Sequence, residues 1–246
     1  MKAAVLALAL VGCGSPSESP PDAHGSDAAV DGGTDVPIID APSGFGELSG
    51  MCGVLTDTEL LGAAPVLVND AFSFMRAFMD PSDRDLLTPG GKTIAETPNL
   101  GGSSELSEIF AFEQLARCED AMLIAPESQI MYLDSGGKKT DILVSIDGHK
   151  IGVSVTRAFA FPIGTPYSMQ QASELLTRKL EDVQLATANA APAHQWEKQI
   201  LAYLAIDDQA AQMVATVWNG LDANVKADTI LLVTTTHGDD LFLYQN

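Results

Sequence analysis

The residues best suited to chemistry lie in two short strand-like runs between Thr140 and Arg157. The stretch reads TDILVSIDGHKIGVSVTR, with β-branched residues on either side of Asp147-Gly148. Asp-Gly between alternating apolar runs is a strong β-hairpin signal. A two-residue turn pairs odd positions of one strand with even positions of the other, so it decides which side chains share a face of the sheet.

One face of this hairpin is polar and places Asp141 opposite Ser154 or Thr156, depending on the register. The other face is apolar and must pack against a helix. Its residues are Ile142, Val144, Ile146, Ile151, Val153 and Val155. A three-residue turn would exchange the two faces. Asp141 is therefore either part of a site with two hydroxyls or a solvated strand start beside Lys138 and Lys139.

Periodicity predicts the elements around the hairpin. Helices are predicted over residues 57–79, 104–117, 169–184 and 194–218, with Pro65 interrupting the first and a polar loop over residues 80–103. Strands are predicted over residues 122–134, 229–234 and 241–244. The fold class is α/β: a mixed sheet with an αβββαβ core, flanked by helices.

An αβββαβ order with an acid opening the second strand resembles the restriction-endonuclease-like, PD-(D/E)XK superfamily, here over about residues 104–235. Asp141 matches the family's metal-binding aspartate. The resemblance implies a Glu-x-Lys motif on the third strand, where the glutamate binds Mg²⁺ and the lysine assists the attacking water. Ser154-Val155-Thr156 occupies that position, so both working residues of the motif are replaced.

Relocated residues could restore the chemistry. Glu108 or Glu113 on the preceding helix could supply a carboxylate, as a helix carboxylate does in some family members. Lys139, Arg157, Arg178 and Lys179 are alternatives for the lysine. Of these, Lys179 on the following helix is favoured, and Arg157 falls on the opposite hairpin face.

Two functions remain open. We expect a non-catalytic binding or accessory module that needs no cofactor. The alternative is a Mg²⁺-dependent nuclease, with Asp141 as the metal ligand. Its candidate catalytic residues are Asp141, Ser154, Thr156, Glu113 and Lys179. Mg²⁺ usually requires more than one carboxylate, which favours the first function.

The charge of the chain bears on its partners. The net charge is −20, and the part from residue 45 onward has 27 acids and 12 bases. Nucleic-acid binding depends on cations that displace phosphate counterions, so this balance disfavours a nucleic-acid partner. The sequence contains no motif that identifies a protein or small-molecule ligand.

The N-terminus resembles the signal peptide of bacterial lipoproteins. Lys2 precedes a short apolar stretch that ends in Leu10-Val11-Gly12-Cys13, which matches the lipobox. The resemblance implies cleavage after residue 12, acylation of Cys13, and attachment to the membrane of a bacterial cell envelope. Gly14 and Ser15 follow Cys13, and the sorting rule of enteric bacteria then implies the outer membrane. A plain secretory signal with an incidental cysteine is the alternative.

Residues 13–44 are predicted to form a disordered acidic tether, because Pro, Gly, Ser, Ala and Asp dominate them. Residues 45–246 then form a single α/β domain. Cys52 and Cys118 remain in this exported domain and are predicted to form a disulfide. Two separate buried thiols are the alternative.

Overall fold

A computed structural model describes residues 43–98 and 104–245, which belong to one compact unit. The predicted signal peptide, Cys13 and the tether up to residue 42 lie outside the described residues. Across the described ranges, none of the helices combines the length and the apolar character that a membrane span requires.

The described residues form a seven-stranded mixed sheet in the order β1-β2-β7-β6-β5-β4-β3. Its strands are β1 Glu47–Gly50, β2 Val66–Phe74, β3 Met122–Pro126, β4 Ile142–Ile146, β5 His149–Ala158, β6 Lys198–Ala205 and β7 Ile230–Gly238. The four central strands β2, β7, β6 and β5 are parallel, whereas β1, β4 and β3 pair antiparallel with their neighbours. The sheet thus has parallel strands at its centre and antiparallel strands at both edges.

Helices cover both faces of the sheet. They are α1 Asp57–Leu61, α2 Pro89–Glu96, α3 Glu105–Cys118, α4 Met169–Asn189, α5 Asp208–Gly220 and α6 Ala223–Lys226. On one face, α3 contributes Phe110 and Phe112 to a core shared with the strands. On the other face, α4 and α5 pack through residues such as Leu180 and Val214. From α3 to β6 the element order is α-β-β-β-α-β; the sequence predicts this order with the 229–234 segment as its last strand and a helix over residues 194–218.

The hairpin of β4 and β5 confirms which side chains were predicted to share each face of the sheet. Asp147 and Gly148 form the two-residue turn with φ of +50° and +88°, the left-handed values that a type I′ turn requires. Ile142 pairs with Val153, so even positions of β4 face odd positions of β5. All six apolar residues of the predicted face lie in the core that includes α3.

Several other elements differ from the sequence prediction. Residues Val66–Phe74 form β2 rather than a helix, and Pro89–Glu96 form α2 within the predicted loop. Residues Lys198–Ala205 form β6, so the fourth strand of the αβββαβ order is β6 and not the 229–234 segment, which belongs to β7. Leu241–Leu243 form a 3₁₀ turn instead of an edge strand.

A disulfide joins Cys52 to Cys118, with a Cα–Cα distance of 4.5 Å, as the sequence predicts. The adjacent Glu119 carboxylate reinforces this connection. It accepts hydrogen bonds from the backbone N–H groups of Gly53 and Leu55, each at 2.9 Å, and of Val54 at 3.4 Å. The segment after β1 is therefore held against the C-terminal end of α3.

Candidate functional site

Asp141 lies where β4 begins, about halfway along the longer strand β5. Its backbone N–H donates to the carbonyl oxygen of Val153 at 3.1 Å. Its Oδ2 accepts from the backbone N–H of Val155 at 2.6 Å. The carboxylate therefore replaces the backbone carbonyl oxygen that a longer β4 would have offered to the Val155 N–H. The ladder of backbone hydrogen bonds between β4 and β5 ends at this residue.

The two hydroxyl residues of the predicted polar face have different surroundings. Ser154 is buried, and its Oγ lies 3.2 Å from Oγ1 of Thr140. The Tyr132 hydroxyl accepts from the Thr140 N–H at 2.9 Å and donates to the Thr140 carbonyl at 3.1 Å. Thr156 is partly buried and pairs in register with Tyr203 on β6. Ser154 thus belongs to a small internal hydroxyl network.

The charges of nearby side chains affect the pKa of Asp141. Burial raises the pKa of Asp141 to about 6; the Val155 hydrogen bond and the charge of Lys179 oppose this shift, and the charge of Glu127 adds to it. Glu108 on α3 is only 5% exposed, and burial raises its pKa to about 7, with a further contribution from the charge of Asp141. Two neighbouring acids thus have pKa values raised towards neutrality, because burial disfavours their charged forms.

Glu108 accepts a short hydrogen bond. The Ser104 hydroxyl donates to its Oε1 at 2.5 Å. Beside it is a pocket of about 10 Å³ whose lining includes Glu105 and Glu127. That volume is about the size of one water molecule.

Glu113, the other candidate on α3, serves a different contact. Its Oε1 accepts from the Thr88 N–H at 2.8 Å and from the Thr88 hydroxyl at 2.6 Å. Thr88 is the N-cap of α2. The structure therefore places Glu113 where it braces the start of α2 against α3, and places Glu108 near Asp141.

The residues present do not fit a Mg²⁺ site. Within residues 43–98 and 104–245, no three His, Cys, Asp or Glu side chains are grouped closely enough to hold a metal ion. Asp141 is engaged by a backbone N–H, whereas Mg²⁺ takes several oxygen ligands in near-octahedral geometry.

Three neighbours of Asp141 were missed at the level of sequence. Glu127 directly follows the apolar strand β3, and an acid after such a strand is a signal that could have identified it. Tyr132 and Thr140 meet across a loop, and no sequence spacing predicts that contact. The arrangement as a whole can hold a proton on the buried Glu108 carboxyl or the partly buried Asp141 carboxyl, and it presents a partly buried lysine, Lys179.

Part of the chain is similar to a known protein from another organism. The AAC-rich mRNA clone AAC4 protein of Dictyostelium discoideum is 34% identical over 164 residues, covering 64% of this chain and 24% of that protein. The chain thus spans about a quarter of the length of that relative. No protein-family model matches the chain, and no solved structure matches it.

Proposed function

We propose that this chain is a lipid-anchored protein of the bacterial cell envelope whose α/β domain is a non-catalytic binding or accessory module. We further propose that the domain has a restriction-endonuclease-like fold. The support is the order α3-β3-β4-β5-α4-β6, with two antiparallel pairings followed by a parallel one. Asp141 at the start of the second strand of this series adds to the likeness.

The observation that carries the non-catalytic assignment is the way the polar hairpin face is used. The Asp141 carboxylate accepts from Val155, and the Ser154 hydroxyl pairs with Thr140. These contacts hold the strands together. The Glu-x-Lys position carries Ser154 and Thr156, which supply neither a second carboxylate nor a cation.

The anchor rests on the lipobox at Leu10–Cys13 and on the acidic, Pro-rich segment that follows it. Acylation of Cys13 would attach the protein to the membrane, and residues 14–42 would separate the lipid from the domain. Each buried CH₂ of an acyl chain contributes about 0.8 kcal/mol, so several chains anchor stably. The absence of Asp after Cys13 favours the outer membrane.

A metal-dependent nuclease is the second candidate. The observation in its favour is the electrostatic coupling of Asp141 with Glu108, Glu127 and Lys179. In such an enzyme, Glu108 or Glu127 would replace the glutamate of the missing Glu-x-Lys motif, and Lys179 would replace its lysine. In the described part of the chain, the acids are not close enough together to surround one ion.

A cleavage assay separates the two candidates. Supercoiled DNA is incubated with the full chain and Mg²⁺ or Mn²⁺, using wild type, Asp141→Asn and, as a control for loss of one exposed carboxylate, Glu181→Gln. We expect no metal-dependent cleavage by any of the three proteins. Cleavage by wild type and Glu181→Gln that disappears in Asp141→Asn would overturn the non-catalytic assignment.

The anchor is tested separately in cells. Metabolic labelling with palmitate should mark the wild-type protein and not Cys13→Ser, and the wild-type protein should fractionate with the outer membrane. Unlabelled wild-type protein released in soluble form would show that the N-terminus is a plain secretory signal.

A further inference from the structure

One edge of the sheet collects four chain segments. Strands β2, β5, β6 and β7 are parallel, so their C-terminal ends meet at the same edge. Glu47 of β1 pairs with Ser73 of β2, so the chain also enters the domain there. We define the carboxyl edge as residues 43–46, 75–86, 159–168 and 239–245. It is the end of the sheet where the parallel strands finish, and not one of the lateral edges formed by β1 and β3.

Aromatic contacts tie these segments into one platform. The rings of Phe45 and Phe78 are 4.9 Å apart, and those of Phe78 and Phe242 are 6.3 Å apart. Phe159 and Tyr244 stand 5.4 Å apart. The entry segment, the loop after β2, the loop after β5 and the turn after β7 are therefore linked through packed side chains.

Large apolar side chains project from this platform into solvent. Met75 is 91% exposed, Met79 82%, Phe161 85% and Leu241 41%. Phe161 lies in residues 158–173, a stretch without a single charged residue in a chain that has 33 acids. Exposed apolar groups carried on several neighbouring loops are typical of interaction surfaces.

We propose that the carboxyl edge docks on a phospholipid surface of zwitterionic headgroups. This inference rests on the lipid anchor of the proposed function, because the chain that leads from Cys13 enters the domain at Ser43, on this edge. Methionine and phenylalanine side chains of this size can enter the boundary between headgroups and acyl chains. On this edge the exposed acids Asp80, Asp85 and Asp239 outnumber the exposed bases Arg76 and Arg84, and from residue 45 onward the chain has 27 acids and 12 bases. Anionic lipid is therefore repelled, which favours a zwitterionic surface.

The test uses the chain from residue 13 onward with Cys13→Ser, so that neither an acyl chain nor the apolar stretch of the signal peptide contributes. The protein is mixed with phosphatidylcholine vesicles, and the floated fraction is measured as a function of lipid concentration. We expect Phe161→Ser to weaken partitioning about tenfold and Met75→Ser severalfold, since each removes the burial of one large apolar side chain. Replacing part of the lipid with phosphatidylglycerol should weaken partitioning further.

Met122→Ser is the matched control, because Met122 is 66% exposed and lies on β3 beside Ser145, towards the opposite end of the sheet. It should partition like the parent protein. No flotation of the parent, or equal losses in Met75→Ser and Met122→Ser, would overturn the proposal. So would self-association that Phe161→Ser abolishes while vesicle binding persists. Failure of the anchor would instead appear in the palmitate labelling of wild type, which this experiment does not use.

Discussion

Replacing Glu108 with glutamine should stabilise the domain at neutral and alkaline pH. Burial raises the pKa of Glu108 from its ordinary value of 4.5 to about 7, so the folded protein holds a proton that the unfolded chain releases. Stability from this group is complete below pH 4.5 and is lost as the pH rises towards 7. The difference corresponds to about 3 kcal/mol, at about 1.4 kcal/mol per pH unit.

Glu108→Gln removes this loss of folding stability at high pH, and it keeps an oxygen that can accept a hydrogen bond from the Ser104 hydroxyl. Urea unfolding of wild type and variant should be followed by circular dichroism from about pH 4.5 to about pH 8. We expect a free energy of unfolding about 1–3 kcal/mol higher for the variant at about pH 8, with little difference at about pH 4.5. Glu181→Gln controls for the loss of one exposed negative charge. A variant less stable than wild type at the alkaline end would show that Glu108 is ionised and well solvated, and would refute the reasoning.

Other substitutions test the fold around the hairpin and the disulfide. Val153→Asp places an unpaired carboxylate in the core and should abolish the native circular dichroism spectrum; a folded variant would mean that the face assignment is wrong. Ser154→Ala should lower the free energy of unfolding by about 1 kcal/mol in a urea titration, and a loss as severe as that of Val153→Asp would contradict the account. Gly152→Ala brings a Cβ within 2.6 Å of the Trp196 ring and should cost about 1–3 kcal/mol, with a change in tryptophan fluorescence; an unchanged melting temperature would count against this packing. Glu119→Ala leaves the backbone N–H groups of Val54 and Leu55 without their acceptor, whereas that of Gly53 keeps the Cys118 carbonyl oxygen, and should cost about 1–3 kcal/mol by thermal melting; a loss below about 0.5 kcal/mol would mean that water replaces the carboxylate.

Strong local sequence signals were sufficient to predict the turn between β4 and β5 and the start of α4. The Asp147-Gly148 turn set the β4–β5 register, because only a two-residue turn with positive φ at both positions closes this hairpin. The helix predicted from residue 169 begins there as α4, because Ser168 and Gln171 form a capping box at its start. These features depend on neighbours within a few residues, so the sequence alone could reveal them.

Strands β2 and β6 were read as helices for a physical reason. All eight residues of Lys198–Ala205 are buried, because β6 lies at the centre of the sheet with helices on both faces. A strand covered on both sides shows no alternation of apolar and polar residues in its sequence. The Leu, Ala and Gln residues of β6 also favour helices. In β2, burial alternates from Val68 to Phe74, but the buried acid Asp70 occupies one of the inward positions and so breaks the apolar alternation in the sequence.

Part of the geometry around Asp141 could be expected from the sequence. Asp141, Ser154 and Lys179 could be singled out from strand parity and helix position. The pairing of Asp141 with the Val155 N–H could not, because it depends on β4 starting halfway along β5. The choice between Glu108 and Glu113 also required the packing of α2, which engages Glu113 through Thr88.

Manganese binding tests the central claim, that Asp141 closes the hairpin and is not a metal ligand. Calorimetric titration of the full chain with Mn²⁺ should give the same weak binding for wild type and Asp141→Asn, since asparagine can still accept from the Val155 N–H. A single tight site in wild type that Asp141→Asn removes would contradict the account.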